Sequence, residues 1–183
     1  QVGPPVVLTT LDLTTFDEPS VRASTDLVVE RPGRLNAIAL TFRAGRQELL
    51  FGRERFVSPL DWTNTRRTFD TLSLSGKAGG WKATSFVSHL VTINEQAYNN
   101  YDLDVDFHGL YVANPKMPVV GLVDLYYLYL ARNDVAFSGE TGDEDRHTLG
   151  SRLFGPIGES IFDYEVELDL QLGEVGDADV YAW

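Results

Sequence analysis

Cysteine is absent, methionine occurs once, and lysine stands only at positions 77, 82 and 116. Without cysteine the chain has no disulfide scaffold and no zinc or iron–sulfur site built on thiolates. Long hydrophobic runs are missing too. The longest apolar stretch, residues 119–130, is broken by Asp124 and falls short of the roughly 20 residues a spanning helix needs. Positive charge is scarce: 15 bases face 27 acids, for a formal net charge of −12. Such a chain opposes phosphate with its own field, so no nucleic acid is expected as a partner. Helical periodicity is also hard to find. Aromatics make up 11% and hydrophobic residues 43%, which excludes a disordered polymer. The 183 residues suffice for one core, or one sheet of many strands. The opening Gln1-Val2-Gly3-Pro4-Pro5 has neither the basic nor the apolar region of a signal peptide. It reads as a mature N-terminus or as the start of a fragment.

What is present is period two. Over residues 162–172 every even position is apolar and every odd one polar, the signature of a half-buried strand. Residues 102–111 repeat it, with Leu103, Val105, Phe107 and Tyr111 on one face and Asp102, Asp104, Asp106 and His108 on the other. Further strands are expected at 35–51, 68–75, 81–92, 119–131, 147–154 and 179–183, with weaker ones at 6–16 and 21–30. That makes about ten. The connections between them alternate long and short: 53–67 long, 76–80 short, the one after Thr92 long, 114–118 short, 132–146 long and acidic, 155–158 short. Up-and-down barrels of the bacterial outer membrane have this rhythm. Strands of about 9–12 residues suit a tilted crossing of the hydrocarbon. Tyr and Trp near strand ends suit interfacial girdles. The expected fold is an all-β, antiparallel up-and-down transmembrane β-barrel or part of one, with 35–183 as a single wall and 1–34 as strands of open assignment. The alternative is a soluble extracellular β-sandwich that binds carbohydrate, since one-sided antiparallel sheets alternate in the same way.

Two segments carry a family likeness. Residues 40–55, with Gly45-Arg46-Gln47-Glu48-Leu49, Gly52 and Arg55, resemble the L-x-x-G-R-Q-E-L-x-x-G-x-x-R segment of the alginate-export outer-membrane β-barrels. Asp61-Trp62-Thr63-Asn64-Thr65-Arg66-Arg67-Thr68-Phe69-Asp70 resembles that family's D-W-x-N-x-x-R-T-F-D. Phe107-His108-Gly109-Leu110-Tyr111, residues 145–152 and residues 162–167 follow in the family's order. The likeness covers roughly 35–183. It implies a monomeric outer-membrane channel, or part of a larger envelope assembly, that passes polar or anionic solutes, with alginate-like polysaccharide as the best-known cargo. Outer-membrane lipid and lipopolysaccharide are the implied surroundings.

In a channel the chemistry is electrostatic, because charges on the wall select what enters. If Leu149 and Leu153 face lipid, Arg146 and Arg152 face the pore. The same reasoning turns Asp104, Asp106 and His108 inward, along with Asp163, Glu165, Glu167 and Asp169. Arg43 lies on the polar side of Leu40 and Phe42. Arg46 and Glu48 break that parity, so facing inward would need a bulge near Gly45. Arg53, Arg55, Arg66 and Arg67 flank a long loop that could fold inward, and their planar guanidinium groups suit carboxylate or phosphate. The bland reading is that these charges pair among themselves and only stiffen the wall.

No enzyme is expected. His89, His108 and His147 fall on separate strands, and no nucleophile elbow or P-loop is present. No cofactor or metal is implied. Asp102-x-Asp104-x-Asp106 lacks the glycine and the twelfth-position glutamate of an EF-hand. Residues 140–145 form the better surface calcium candidate, with a solvated acidic loop as the default.

Overall fold

The computed structural model describes residues 6–10, 26–30, 39–63, 66–92, 100–117, 121–137 and 139–183. Among them no helix occurs, and ten strands form one antiparallel sheet in chain order. They are β1 (Val6–Thr10), β2 (Asp26–Glu30), β3 (Ala39–Gln47), β4 (Phe69–Ala78), β5 (Trp81–Thr92), β6 (Asn100–Met117), β7 (Gly121–Phe137), β8 (Glu140–Pro156), β9 (Asp163–Val175) and β10 (Ala178–Ala182). This up-and-down order is that of a barrel wall. β1 and β10 end it, so the described sheet is not closed. The chain separates into two compact units, residues 1–79 with 84–103, and residues 80–83 with 104–183.

In the first unit β3 pairs with β4 without a break, from Ala39 opposite Lys77 to Gln47 opposite Phe69. Thr41, Arg43, Ser73 and Ser75 therefore share one face, and Leu40, Phe42, Leu72 and Leu74 the other. The second group is exposed. The first continues onto β5, where the Thr84 hydroxyl lies 2.9 Å from that of Ser75. Phe86 and Ser88 follow Thr84 at alternate positions and are buried. No bulge forms near Gly45, so Arg46 stays on the face of Phe42.

In the second unit the register across β6, β7, β8, β9 and β10 arranges side chains in lateral rows. One set is apolar: Leu110–Tyr127–Leu149–Leu170 and Val112–Leu125–Ser151–Leu168. Leu149 is 52% exposed and Leu168 69%. From Tyr164 to Leu172 is eight steps along β9, about 27 Å at roughly 3.4 Å per residue. Tilted by about 40°, that covers ~20 Å of the ~25 Å apolar band of a membrane barrel.

Two expectations about loops need correction. The segment 132–146 is not a long loop. β7 continues to Phe137, and β8 begins at Glu140. Residues 140–145, expected as a candidate calcium loop, lie on that strand. The acidic sequence hid the strand because ion pairs hold it, with no apolar alternation to read. Glu144 is the centre, reached by both Arg132 and Arg146. A bulge between Arg132 and Val135 takes up one extra residue. There Asp134 has φ +50°, and its N–H donates to the Asp143 carboxylate at 3.1 Å. The long–short rhythm also fails further on, since the β8–β9 connection, residues 157–162, is longer than the β7–β8 turn. β6, β7, β8 and β9 run 18, 17, 17 and 13 residues, beyond the expected 9–12.

Candidate functional site

The polar face of the second unit is built around Arg152. Asp124, Arg152 and Glu167 form one lateral row across β7, β8 and β9. The guanidinium donates to Asp124 at 2.8 Å and to Glu165 at 2.9 Å. It also lies over the Phe154 ring, 3.8 Å from the centroid. Its side chain is only 3% exposed. A cation so placed is held by carboxylates on both flanks and has little surface left for a solute. In the next row Tyr126 of β7 lies over Gly150 of β8, where any Cβ would strike its ring. That close approach lets its hydroxyl reach Glu167 at 2.7 Å and Asp169. Tyr111 of β6 stacks on Tyr126, centroids 5.5 Å apart. Toward the β7–β8 turn, Arg146 meets Glu144 at 2.6 Å, and the Glu144 side chain is fully buried.

Of the residues expected to line a pore, the fold thus brings Arg146, Arg152, Glu165 and Glu167 onto one face. It does not bring Asp104 and Asp106 there. Asp106 lies opposite Ala131, which lies opposite Asp145, and Asp104 accepts from Asn133 at 3.2 Å. Contrary to the expectation, these acids and His108 share the face of Leu110 and Leu149. Val105, Phe107 and Tyr111 turn to the polar side, opposite Arg132, Leu130 and Tyr126. Alternation defines two faces within β6 without saying which joins the charged face of its neighbours. Only the register with β7 decides, and a one-residue slip exchanges them.

The first unit holds the arginine loop, residues 48–68. It is compact. Leu49, Val57, Ser58 and Pro59 are buried. Backbone bonds tie Phe51 N–H to Val57 C=O at 3.3 Å and Arg67 N–H to Pro59 C=O at 2.7 Å. Glu54 and Leu60 sit at φ +61° and +57°, a costly conformation for such residues that surrounding contacts must impose. Ser58 donates to the Glu54 carboxylate at 2.9 Å and accepts from Leu60 N–H. Phe51 stacks on Phe86 at 5.5 Å. Because Phe86 belongs to the polar face of β5, the loop lies over that face. Arg66 is clamped between Glu48 at 2.8 Å and Asp61 at 2.6 Å. Arg53 and Arg55 are exposed on the loop. Arg43 is exposed on the polar face of β3. Arg46 forms a two-pronged pair with Asp70, both contacts 3.0 Å, on the opposite face.

The sequence reading missed Asp124, Tyr126, Arg132 and Glu144. Residues 119–131 look apolar on both faces, but Asp124, Tyr126, Leu128, Leu130 and Arg132 recur at every second position, which was the available signal.

The stacking of Phe51 on Phe86 makes a testable claim. Phe51→Ala should leave the strands paired but release the loop, so that trypsin cleaves after Arg53 and Arg55 several-fold faster. An unchanged cleavage rate would mean that the buried residues 57–59 hold the loop alone.

Comparison with known proteins adds one finding. The family model described as "Alginate export" matches residues 27–183. Neither the curated proteins nor the solved structures include a match.

Proposed function

Since the chain belongs to the alginate-export family, a family of outer-membrane export channels, we propose that it forms wall of a passive channel for polar or anionic solutes, polysaccharide included. One observation carries this reading. β7, β8 and β9 each present exposed leucine on one face and hydrogen-bonded charges on the other. That division suits a wall between lipid and water. A soluble carbohydrate-binding sandwich would leave these leucine rows in water, where patches of that extent are rare.

Selectivity divides between two features. On the wall, Asp124, Glu144, Glu165, Glu167 and Asp169 outnumber Arg132, Arg146 and Arg152, and the two best-buried groups, Glu144 and Arg152, face partners of opposite charge. These groups stiffen the wall. Anion preference falls to the loop, where Arg53 and Arg55 are exposed and Arg43 lies on the adjoining polar face. Arg66 and Arg67 serve mainly to shape the loop. In planar bilayers, Arg53→Glu with Arg55→Glu should move the reversal potential across a salt gradient toward cations. If the potential stays put, the loop lies away from the conducting path. A band that migrates differently before and after boiling would mark a closed barrel, whose backbone bonds are all internal.

A further inference from the structure

On the leucine-bearing face of the second unit, the rows continue past the apolar band in a regular order. Beyond Leu110–Tyr127–Leu149–Leu170 comes His108–Tyr129–His147–Leu172–Tyr181, and beyond that Asp106–Ala131–Asp145–Glu174–Asp179. Asp145, Glu174 and Asp179 stand directly opposite one another on adjacent strands. Like charges so placed repel. Neither this row nor the aromatic row beside it contains an arginine or lysine. Tyr129 donates to Asp145 at 2.7 Å, and His147 Nε2 lies 3.3 Å from the same carboxylate. Nothing comparable faces Glu174 or Asp179 in these two rows.

Just inside the band, the small side chain of Ser151 leaves an apolar groove of about 720 Å³, bordered by Leu110, Leu125, Leu149, Leu168 and Trp183. Its upper row lies four residues from the acidic row, about 14 Å along the strands at roughly 3.4 Å each. Allowing for tilt, that is close to 10 Å, so a groove just inside the hydrocarbon puts the acids in the headgroup layer.

We propose that this groove seats an acyl chain of an amine-bearing phospholipid, whose ammonium group meets the acidic row. The proposal rests on the membrane reading above. Charge complementarity selects the occupant: a phosphate-only headgroup would meet carboxylates, while an ammonium relieves their repulsion. The aromatic row offers ring faces to the same cation. A divalent ion bridging an anionic headgroup is the competing arrangement, but among the described residues no three acidic or histidine side chains converge on a metal site.

Trp183, on the groove's rim, is the reporter. Trp62→Phe and Trp81→Phe leave it as the sole tryptophan of the three. Bilayers containing phospholipids brominated on the acyl chain then measure contact by quenching. Ethanolamine lipids should out-compete glycerol-headgroup anionic lipids by ~5-fold or more and also exceed choline lipids. Asp106→Asn, Asp145→Asn, Glu174→Gln and Asp179→Asn together should bring the ratio near one, and Ser151→Leu should weaken quenching by filling the groove. Equal quenching by all headgroups would overturn the proposal and leave the membrane reading standing. So would a preference for anionic lipid that grows with calcium. No quenching by any brominated lipid would overturn both.

Discussion

Arg152→Met is expected to destabilise the folded chain by about 3–5 kcal/mol, the cost of leaving the buried Asp124 carboxylate without its cation. Asp124 is buried, and Arg152 is its 2.8 Å partner. Methionine keeps the packing against Phe154 while removing the charge. The loss therefore measures chiefly the uncompensated Asp124, not a cavity. Adding Asp124→Leu should recover much of it, because a fully apolar replacement of a buried pair is often neutral. Urea titration in lipid, followed by tryptophan fluorescence, gives both numbers. A loss below about 1 kcal/mol for the single change would mean that the pair behaves as a water-screened surface contact.

Gly173→Val is expected to be of similar size, about 3 kcal/mol or more, for a different reason. Gly173 lies opposite Arg146, and a Cβ there would run into the Asp145 carbonyl and the Arg146 backbone. Backbone cannot rotate aside as a side chain does, so the strands must separate. The damage should spread to Val175, which packs opposite Glu144, and to the β10 pairing. Hydrogen exchange should show lost protection over residues 171–175 and 178–182, with β6 and β7 protected as before. Gly150→Val is the comparison. Its nearest obstacle is the Tyr126 ring, which can swing away at the expense of its bonds to Glu167 and Asp169, so its cost should be smaller. If both glycine variants lose the same amount, the backbone argument at Gly173 fails.

The contrast between these sites shows where sequence reading reached and where it stopped. The strands were legible because alternation over residues 162–172 is a local property of a pleated backbone. Arg146 and Arg152 were legible for the same reason, since Leu149 and Leu153 mark the other face of their own strand. The arginine loop stood out by composition, and its position over the polar face of β5 needed the contact of Phe51 with Phe86.

Four things were not legible. The hairpin over residues 132–146 is held by Arg132, Glu144 and Arg146, whose mutual contacts appear only after the strands pair. Asp104 and Asp106 alternate as cleanly as Glu165 and Glu167 yet lie on the other side of the wall. Asp124 became a partner of Arg152 because β7 and β8 meet in one register. The acidic row above the apolar band joins residues from four strands, none of which carries it alone. The sequence by itself determined which residues form strands and which share a face within each, because the period of two is set by bonds between neighbours. The tertiary structure alone decided which residues of neighbouring strands share a face and which charges meet, because both depend on register between strands, and a shift of one residue reverses every side chain in the strand.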